Sequence, residues 1–114
     1  MTIDTEIRKL IKSAETNKII NPEKQGRHIL GHPLYVAGRS YLLDGVDPQE
    51  LVDKYHGTGE CRTTKKGEWD KKEHIAVGKI VGVHLNLAGM QTLTSNITIH
   101  YSKTGTHIVP AKGE

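Results

Sequence analysis

The spacing of apolar residues predicts a helix at the start of the chain. They recur on one helical face at Ile3, Ile7, Leu10, Ile11 and Ala14. Asp4 is a candidate N-cap with Ile3 as its hydrophobic staple, and the helix should end before Asn21-Pro22. Residues 18–46 keep no period and contain several glycines and prolines, so we expect a long loop region there with at most short strands.

A second helix is predicted by the sequence Asp47-Pro48-Gln49-Glu50. It has an N-cap Asp, a Pro at the first helical position and a Glu at the third, which together resemble a capping box. Leu51, Val52 and Tyr55 give this helix an apolar face, and Gly57 can end it in the left-handed conformation. The polar segment 57–70 predicts a loop or an exposed edge hairpin.

From His74 onward the apolar period changes to two, which is typical of strands. The predicted strands are 75–77, 80–85, 97–101 and 106–109. Residues 102–105 form a hairpin turn in which Gly105 supplies the positive φ, and Pro110 should stop the return strand. The order of helices followed by an antiparallel meander predicts the α+β class, with a sheet of about four strands.

Length and composition narrow the class of protein. A chain of 114 residues has the size of one domain. Its apolar runs are too short for a transmembrane helix, and charges interrupt the N-terminus where a signal peptide would be apolar. The single cysteine, Cys61, excludes an internal disulfide framework and a Cys-rich zinc module. These features favour a protein that acts in the cytoplasm.

The segment 74–113 contains no Asp or Glu, although the chain holds 13 acidic residues. Its charged and titratable side chains are Lys79, Lys103, Lys112 and four of the seven histidines. A surface built from this segment would attract a polyanion. The alternative is a chance gap, because acidic residues are depleted in strands. If the first interpretation holds, the exposed sheet face should carry Lys79 and Lys103 beside at least one of His84, His100 and His107.

Candidate chemistry falls in three clusters of side chains. They are Lys24, Gln25, Arg27 and His28; Arg39, Ser40 and Tyr41; and His100, Tyr101, Ser102, Lys103, Thr106 and His107. Two histidines with nearby cations are what RNA cleavage without a metal requires, since one imidazole takes the 2′-hydroxyl proton and another group protonates the leaving oxygen. Histidines at strand ends are more often plain surface residues, so composition alone decides little.

Neither a metal nor a cofactor is predicted. His28 and His32 have the i, i+4 spacing of a zinc helix, but Gly31 and Pro33 disfavour a helix there. The sequence offers no carboxylate cluster to complete such a site, and it lacks a glycine-rich phosphate loop. An ADP-ribosyl transfer enzyme is disfavoured because the Glu-rich strand expected of that class is missing: residues 74–113 contain no Asp or Glu.

The last predicted hairpin, Ile99 to Pro110, closely resembles the C-terminal signature of the bacterial polymorphic toxin type 50 domain. The resemblance extends through residues 24–29, 38–40 and 47–55, then Gly57, Gly59, Gly67, Trp69 and residues 78–82. It covers about residues 22–112, with several motifs in the right order. Residues 1–20 lie outside it, so we divide the chain into an N-terminal helix or linker remnant at 1–20 and a toxin domain at 21–114.

The resemblance implies a small ribonuclease toxin of the barnase–EndoU–colicin–RelE type, helical at its start and followed by an antiparallel sheet. We expect His28 and His107 to share the acid and base roles, with Lys24 and Arg39 holding the phosphate. Ser102 or Thr106 would donate to the oxyanion. Substrate-binding residues would be Gln25, Ser40, His100, Tyr101, Lys103 and, from the acid-free segment, Lys79. The two histidines should then lie within about 15 Å of one another.

The predicted partners follow from the same resemblance. They are an RNA substrate and an acidic immunity protein that inhibits the toxin, with no membrane partner. Such domains also occur at the ends of phage head-morphogenesis proteins, so the chain could belong to a larger toxin or phage protein. The competing hypothesis is a non-enzymatic binding module, in which the basic face binds nucleic acid or a partner protein.

Overall fold

A computed structural model describes residues 3–112 of the chain. The helices are α1 (Ile3–Lys12), α2 (Pro22–Gly26) and α3 (Pro48–Tyr55). The strands are β1 (Tyr41–Leu42), β2 (Glu60–Thr63), β3 (Trp69–Ala76), β4 (Gly82–Leu85), β5 (Gln91–Thr94), β6 (Asn96–His100) and β7 (His107–Ala111). Among the described residues, no helix has the length and apolar character needed to cross a membrane.

The strands form two antiparallel sheets rather than the single meander that the sequence predicts. Four strands pair in the order β2-β3-β6-β7, and three pair in the order β1-β4-β5. Ser95 alone separates β5 from β6, so the chain leaves the smaller sheet and enters the larger one there. The α+β class is confirmed, and the larger sheet has the expected four strands.

One face of the four-stranded sheet packs into the core. Ile75, Ile97, Ile99 and Ile108 lie on this face and are almost completely buried. α1 adds Ile7 and Ile11 to the same core, and α3 adds Leu51 and Val52. The helix at residues 3–12 therefore packs with the rest of the chain, while the domain boundary at residue 20 stays a prediction.

The helices follow the sequence signals in part. α3 begins as predicted, with the Asp47 side chain accepting a hydrogen bond from the Gln49 amide, and Gly57 follows the helix with a φ of 77°. The predicted N-cap at Asp4 is wrong: the residue lies inside α1, where its carboxylate pairs with Arg8 and accepts the Cys61 amide. α2 lies in the segment that we predicted to be loop.

Strand boundaries differ from the prediction where tertiary pairing decides them. The hairpin alternative for residues 57–70 is confirmed in β2, which pairs with an early start of β3 at Trp69. β5 was not predicted. Pro110 does not stop the last strand but lies within β7, and this is tolerated because β7 is an edge strand. Gly105 has the predicted positive φ, at 117°.

Candidate functional site

Three imidazole rings stack at one end of the four-stranded sheet. His100 and His107 are paired across β6 and β7, and their ring centroids lie 4.7 Å apart. The His28 ring stacks on His107 with a centroid distance of 5.7 Å and an interplanar angle of 11°. We call His28, His100 and His107 the histidine cluster. It lies opposite to the core face, because strand residues alternate and Ile99 and Ile108 point into the core.

The short helix α2 brings His28 to this sheet end. Asn21 caps the helix by accepting the Lys24 amide, and Pro22 occupies its first turn. The Gln25 side chain then makes two hydrogen bonds to β7: its Nε2 donates to the Ile108 carbonyl at 3.0 Å, and its Oε1 accepts the Ile108 amide at 2.7 Å. This amide bridge fixes α2 against β7 and thereby sets the position of His28.

One ring nitrogen of His28 has a defined hydrogen-bond partner. Nδ1 lies 2.9 Å from the carbonyl oxygen of Ser40. Since a carbonyl oxygen only accepts, Nδ1 carries the proton in the neutral ring and the lone pair is on Nε2. The structure gives Nε2 no hydrogen-bond partner, and His28 as a whole is buried, with 5% of its surface exposed. His28 is therefore oriented to accept a proton at Nε2.

Cationic side chains surround the histidine cluster. Lys24 donates from Nζ to Ser102 Oγ at 2.8 Å and to Thr104 Oγ1 at 2.9 Å. The charges of Lys24 and Arg27 act on His107. The charges of Arg27 and Arg39 act on His28. Lys72 lies directly across from His100 and acts on that ring. Within the part of the chain that the structure describes, the ion pairs are Arg8–Asp4 and Arg62–Glu60. These four cations therefore have no carboxylate partner.

Burial and these charges keep the imidazoles neutral. Burial lowers the pKa of His107 to about 4, and the neighbouring histidines, Lys24 and Arg27 act in the same direction. Burial also lowers the pKa of His100 to about 4, assisted by Lys72, while Asp70 opposes the shift. The pKa of His28 is lowered by burial, although the Ser40 carbonyl partly offsets this. An anion bound here would raise all three pKa values.

Four of the predicted site residues make hydrogen bonds that hold the framework together. Gln25 is only 2% exposed and bonds to β7. Thr106 is fully buried, and its hydroxyl donates to the His100 carbonyl. Ser40 is buried with its Oγ accepting the Leu85 amide, and Tyr101 is buried with its hydroxyl donating to Glu73. These contacts show a structural role for all four residues, and the substrate-binding and catalytic roles that we predicted for them stay predictions.

The predicted pairing of Lys79 with Lys103 is also wrong. Lys79 lies between β3 and β4, in a cleft beside Asp47 and Glu50. Lys103 lies in the turn between β6 and β7, in a different cleft. Lys79 follows the end of the sheet that contains Ala76 and Ala111. Along β7 this end is four residues, or about 13 Å, from His107. The acid-free segment therefore does not form one basic face.

Two cations near the histidine cluster were not assigned a role from the sequence. Arg27 precedes His28, and Lys72 lies on β3. A local signal existed for Arg27, because Asn21-Pro22-Glu23 repeats the capping pattern of Asp47-Pro48 and predicts a helix that ends beside it. For Lys72 only the register of β3 against β6 reveals that it lies across from His100.

The fold and the site together define a small α+β domain with a cationic, histidine-lined surface at one sheet end. Among the described residues, no group of three or more His, Cys, Asp or Glu side chains is arranged to hold a metal ion. Residues 20–110 match the family model of bacterial toxin 50, and the chain belongs to this family. A search of curated proteins finds no match to the chain.

Proposed function

We propose that this domain is a metal-independent endoribonuclease toxin that cleaves RNA by transesterification and leaves a 2′,3′-cyclic phosphate. Membership of the bacterial toxin 50 family supports a toxin function. The observation that carries the ribonuclease assignment is the histidine cluster, in which His28 and His107 are stacked at 5.7 Å amid cations that have no carboxylate partner. General acid–base chemistry on a phosphodiester needs these groups within reach of one phosphate.

His28 has the geometry of a general base. Its Nε2 lone pair takes the proton of the ribose 2′-hydroxyl, the 2′-oxygen attacks phosphorus, and the bond from phosphorus to the 5′-oxygen breaks. His107 gives a proton to that leaving oxygen. In the free protein the pKa of His107 is about 4, but a bound phosphodiester raises it, so the substrate itself helps to charge the acid.

Lys24, Arg27 and Arg39 hold the phosphoryl oxygens in this proposal. Each influences a histidine of the cluster, and each lacks a competing carboxylate. Lys24 is held in place by Ser102 and Thr104, which aim its ammonium without neutralising it. Cations fixed before the reaction stabilise the charge that develops in the transition state. Because the nucleophile is the 2′-hydroxyl, DNA is not a substrate.

An immunity protein is the general partner that the toxin family implies. We propose that it is acidic and binds over the same cations, so that RNA and inhibitor compete. Action in the bacterial cytoplasm, where RNA is available, belongs to the same proposal.

The competing function is a binding module that uses this cationic surface without chemistry. The lowered pKa values of His100 and His107 favour that alternative, since neither ring is charged at neutral pH before an anion binds.

Cleavage of end-labelled RNA by the purified protein in excess EDTA tests the proposal. We expect fragments that end in a 2′,3′-cyclic phosphate, and no cleavage of DNA or of fully 2′-O-methylated RNA of the same sequence. RNA that binds but stays intact identifies a binding module. Cleavage that appears only after a divalent metal is added contradicts the mechanism.

A further inference from the structure

A cleft lies around the β6–β7 turn from the histidine cluster. Its cavity volume is about 390 Å³, and Trp69, Tyr101, Lys71, Lys103 and Asn17 are among the residues that line it. Two lysines and a partly exposed indole in one open cleft are side chains that single-stranded nucleic acid binds, the lysines through phosphates and the indole through a stacked base. One acidic side chain, Glu15, also lines the cleft.

Trp69 is held in a fixed orientation in this cleft. Its Nε1 donates to the Lys72 carbonyl at 2.8 Å, and the Tyr101 ring packs against the indole with a centroid distance of 5.5 Å. Tyr101 is itself anchored, because its hydroxyl donates to the buried Glu73. The indole is only half-buried. A fixed, partly exposed aromatic ring binds a base at little cost in side-chain entropy.

Lys71 covers the indole in the free protein. Its Nζ lies 5.1 Å from the centre of the Trp69 ring, and the side chain is otherwise exposed. Lys71 has a φ of 67°, and it is the only non-glycine among the described residues with a positive φ. Its carbonyl accepts the Tyr101 amide at 2.8 Å, which holds the backbone in this unusual conformation. In this conformation the Lys71 ammonium lies over the aromatic ring.

Two residues connect this cleft to the histidine cluster. Ser102 lines the cleft and accepts a hydrogen bond from Lys24, whose charge acts on His107. Lys72 holds the indole through its carbonyl and lies across from His100. A single strand whose phosphate lies at the histidine cluster can therefore follow the β6–β7 turn into the cleft.

We propose that this cleft is a nucleobase subsite, in which a base next to the scissile phosphate of RNA stacks on Trp69. This proposal rests on the ribonuclease function proposed above. The base takes the place of the Lys71 ammonium, which turns with Lys103 toward the flanking phosphates. Stacking accepts any base, so the subsite adds affinity and fixes the register of the strand rather than reading its sequence.

The fluorescence of Trp69, the only tryptophan of the chain, reports on this subsite directly. Titration with a 2′-O-methylated tetranucleotide, which cannot be cleaved, should quench the emission. A tetranucleotide backbone without bases should leave the emission unchanged, because only a stacked base contacts the indole. Equal signals from both oligomers, or no binding of either, would overturn the subsite without the need for any variant.

Substitutions give a second, independent measurement. Trp69→Leu should weaken binding of the labelled tetranucleotide about tenfold, while Trp69→Phe, which keeps a ring, stays within about threefold. Tyr55→Leu is the matched control and should bind as the unchanged protein does, because Tyr55 is also half-buried beneath a lysine, Lys54, but lies on α3. Unchanged affinity in a folded Trp69→Leu protein would overturn the proposal.

Cleavage assays keep this inference separate from the proposed function. If RNA is cleaved normally and the bases leave Trp69 unaffected, the subsite is wrong and the ribonuclease stands. If the bases quench Trp69 but no RNA is cleaved under any condition, the ribonuclease is wrong and the cleft is a nucleic-acid binding site.

Discussion

Two groups of polar side chains lie at the same end of the four-stranded sheet, on opposite faces. One is the histidine cluster. The other centres on Glu73, which is fully buried and accepts hydrogen bonds from the Gly57 and Gly59 amides and from the Tyr101 hydroxyl. We call this second group the glutamate cluster. Every one of its polar atoms has a partner within the chain, whereas the cations around the histidine cluster have no carboxylate partner among the described residues.

The difference separates a group that stabilises the fold from a group that is available to a ligand. Buried polar atoms that are fully hydrogen-bonded contribute to a unique structure, and losing one partner is costly. The cations around the histidine cluster are solvated or hydrogen-bonded to hydroxyls in the free protein and can attract an anion from outside. Tyr101 and His100 are adjacent in sequence, yet strand alternation assigns one to each cluster.

The largest expected effect is on catalysis. His28→Asn keeps a donor in the place of Nδ1, toward the Ser40 carbonyl, but removes the base at Nε2, so kcat should fall about a thousandfold. His56→Asn is the matched control, because the His56 Nδ1 also bonds a backbone carbonyl, that of Val52, on α3. Single-turnover cleavage of labelled RNA measures both. Equal rates for the two variants would remove His28 from the mechanism.

A substitution in the glutamate cluster should affect stability instead. Glu73→Gln preserves shape but turns an amide donor toward the Gly57 or Gly59 amide, so the free energy of unfolding should fall by about 2 kcal/mol. Urea denaturation measures this change, and kcat per folded molecule should stay unchanged. Glu60→Gln, at an exposed residue paired with Arg62, should alter stability by less than about 0.5 kcal/mol. A collapse of kcat in folded Glu73→Gln would mean that the two clusters are not independent.

The pH dependence of kcat/KM should follow the histidine cluster. With a pKa of about 4, His107 is protonated in only about one molecule in a thousand at pH 7, so kcat/KM should rise about tenfold per unit as the pH falls from 8 to 6. At saturating RNA the dependence should be weaker, because the bound phosphate raises the pKa. A flat kcat/KM profile over this range would contradict the assignment of His107 as the acid.

The free energy of unfolding should fall as the pH is lowered, whereas kcat/KM should rise. The unfolded histidines titrate near 6.5, while folded His100 and His107 titrate near 4, so the unfolded chain binds more protons between these values. The stabilising contribution of the neutral imidazoles is therefore complete above pH 6.5 and is lost as the pH falls toward 4. Thermal denaturation across this window checks the sign. Greater stability at pH 4.5 than at pH 7 would contradict it.

The smallest expected effect compares two lysines. Lys72→Met removes a cation across from His100, so binding of cleavage-resistant RNA should weaken a few-fold and the salt slope should fall by about 0.7. Lys79→Met, at the other end of the sheet, should change neither value. Fluorescence anisotropy at several salt concentrations measures both variants. An equal loss from the two substitutions would show that RNA binding does not depend on the histidine cluster.

Local signals in the sequence predicted what local interactions determine. The capping residues of α3, the turn at Gly105 and the face of His100 opposite to Tyr101 need only neighbouring residues, and each was found. The roles of Gln25 and Lys72 depend on β7 and β6, which are distant in sequence. No pattern of residue types distinguishes a glutamine that binds a strand from one that binds a substrate. The sequence therefore predicted that His28 and His107 lie close together. It could not distinguish these histidines from the neighbouring residues that hold them in place.

The amide bridge from Gln25 also closes one border of the molecule. β7 is the outer strand of its sheet, and the amides of residues 108 and 110 face outward. Gln25 already occupies the first, and the second belongs to Pro110, which has no N–H to donate. Another copy of the chain cannot extend the sheet along this strand. The border nearest the histidine cluster is thereby protected against the addition of a further strand.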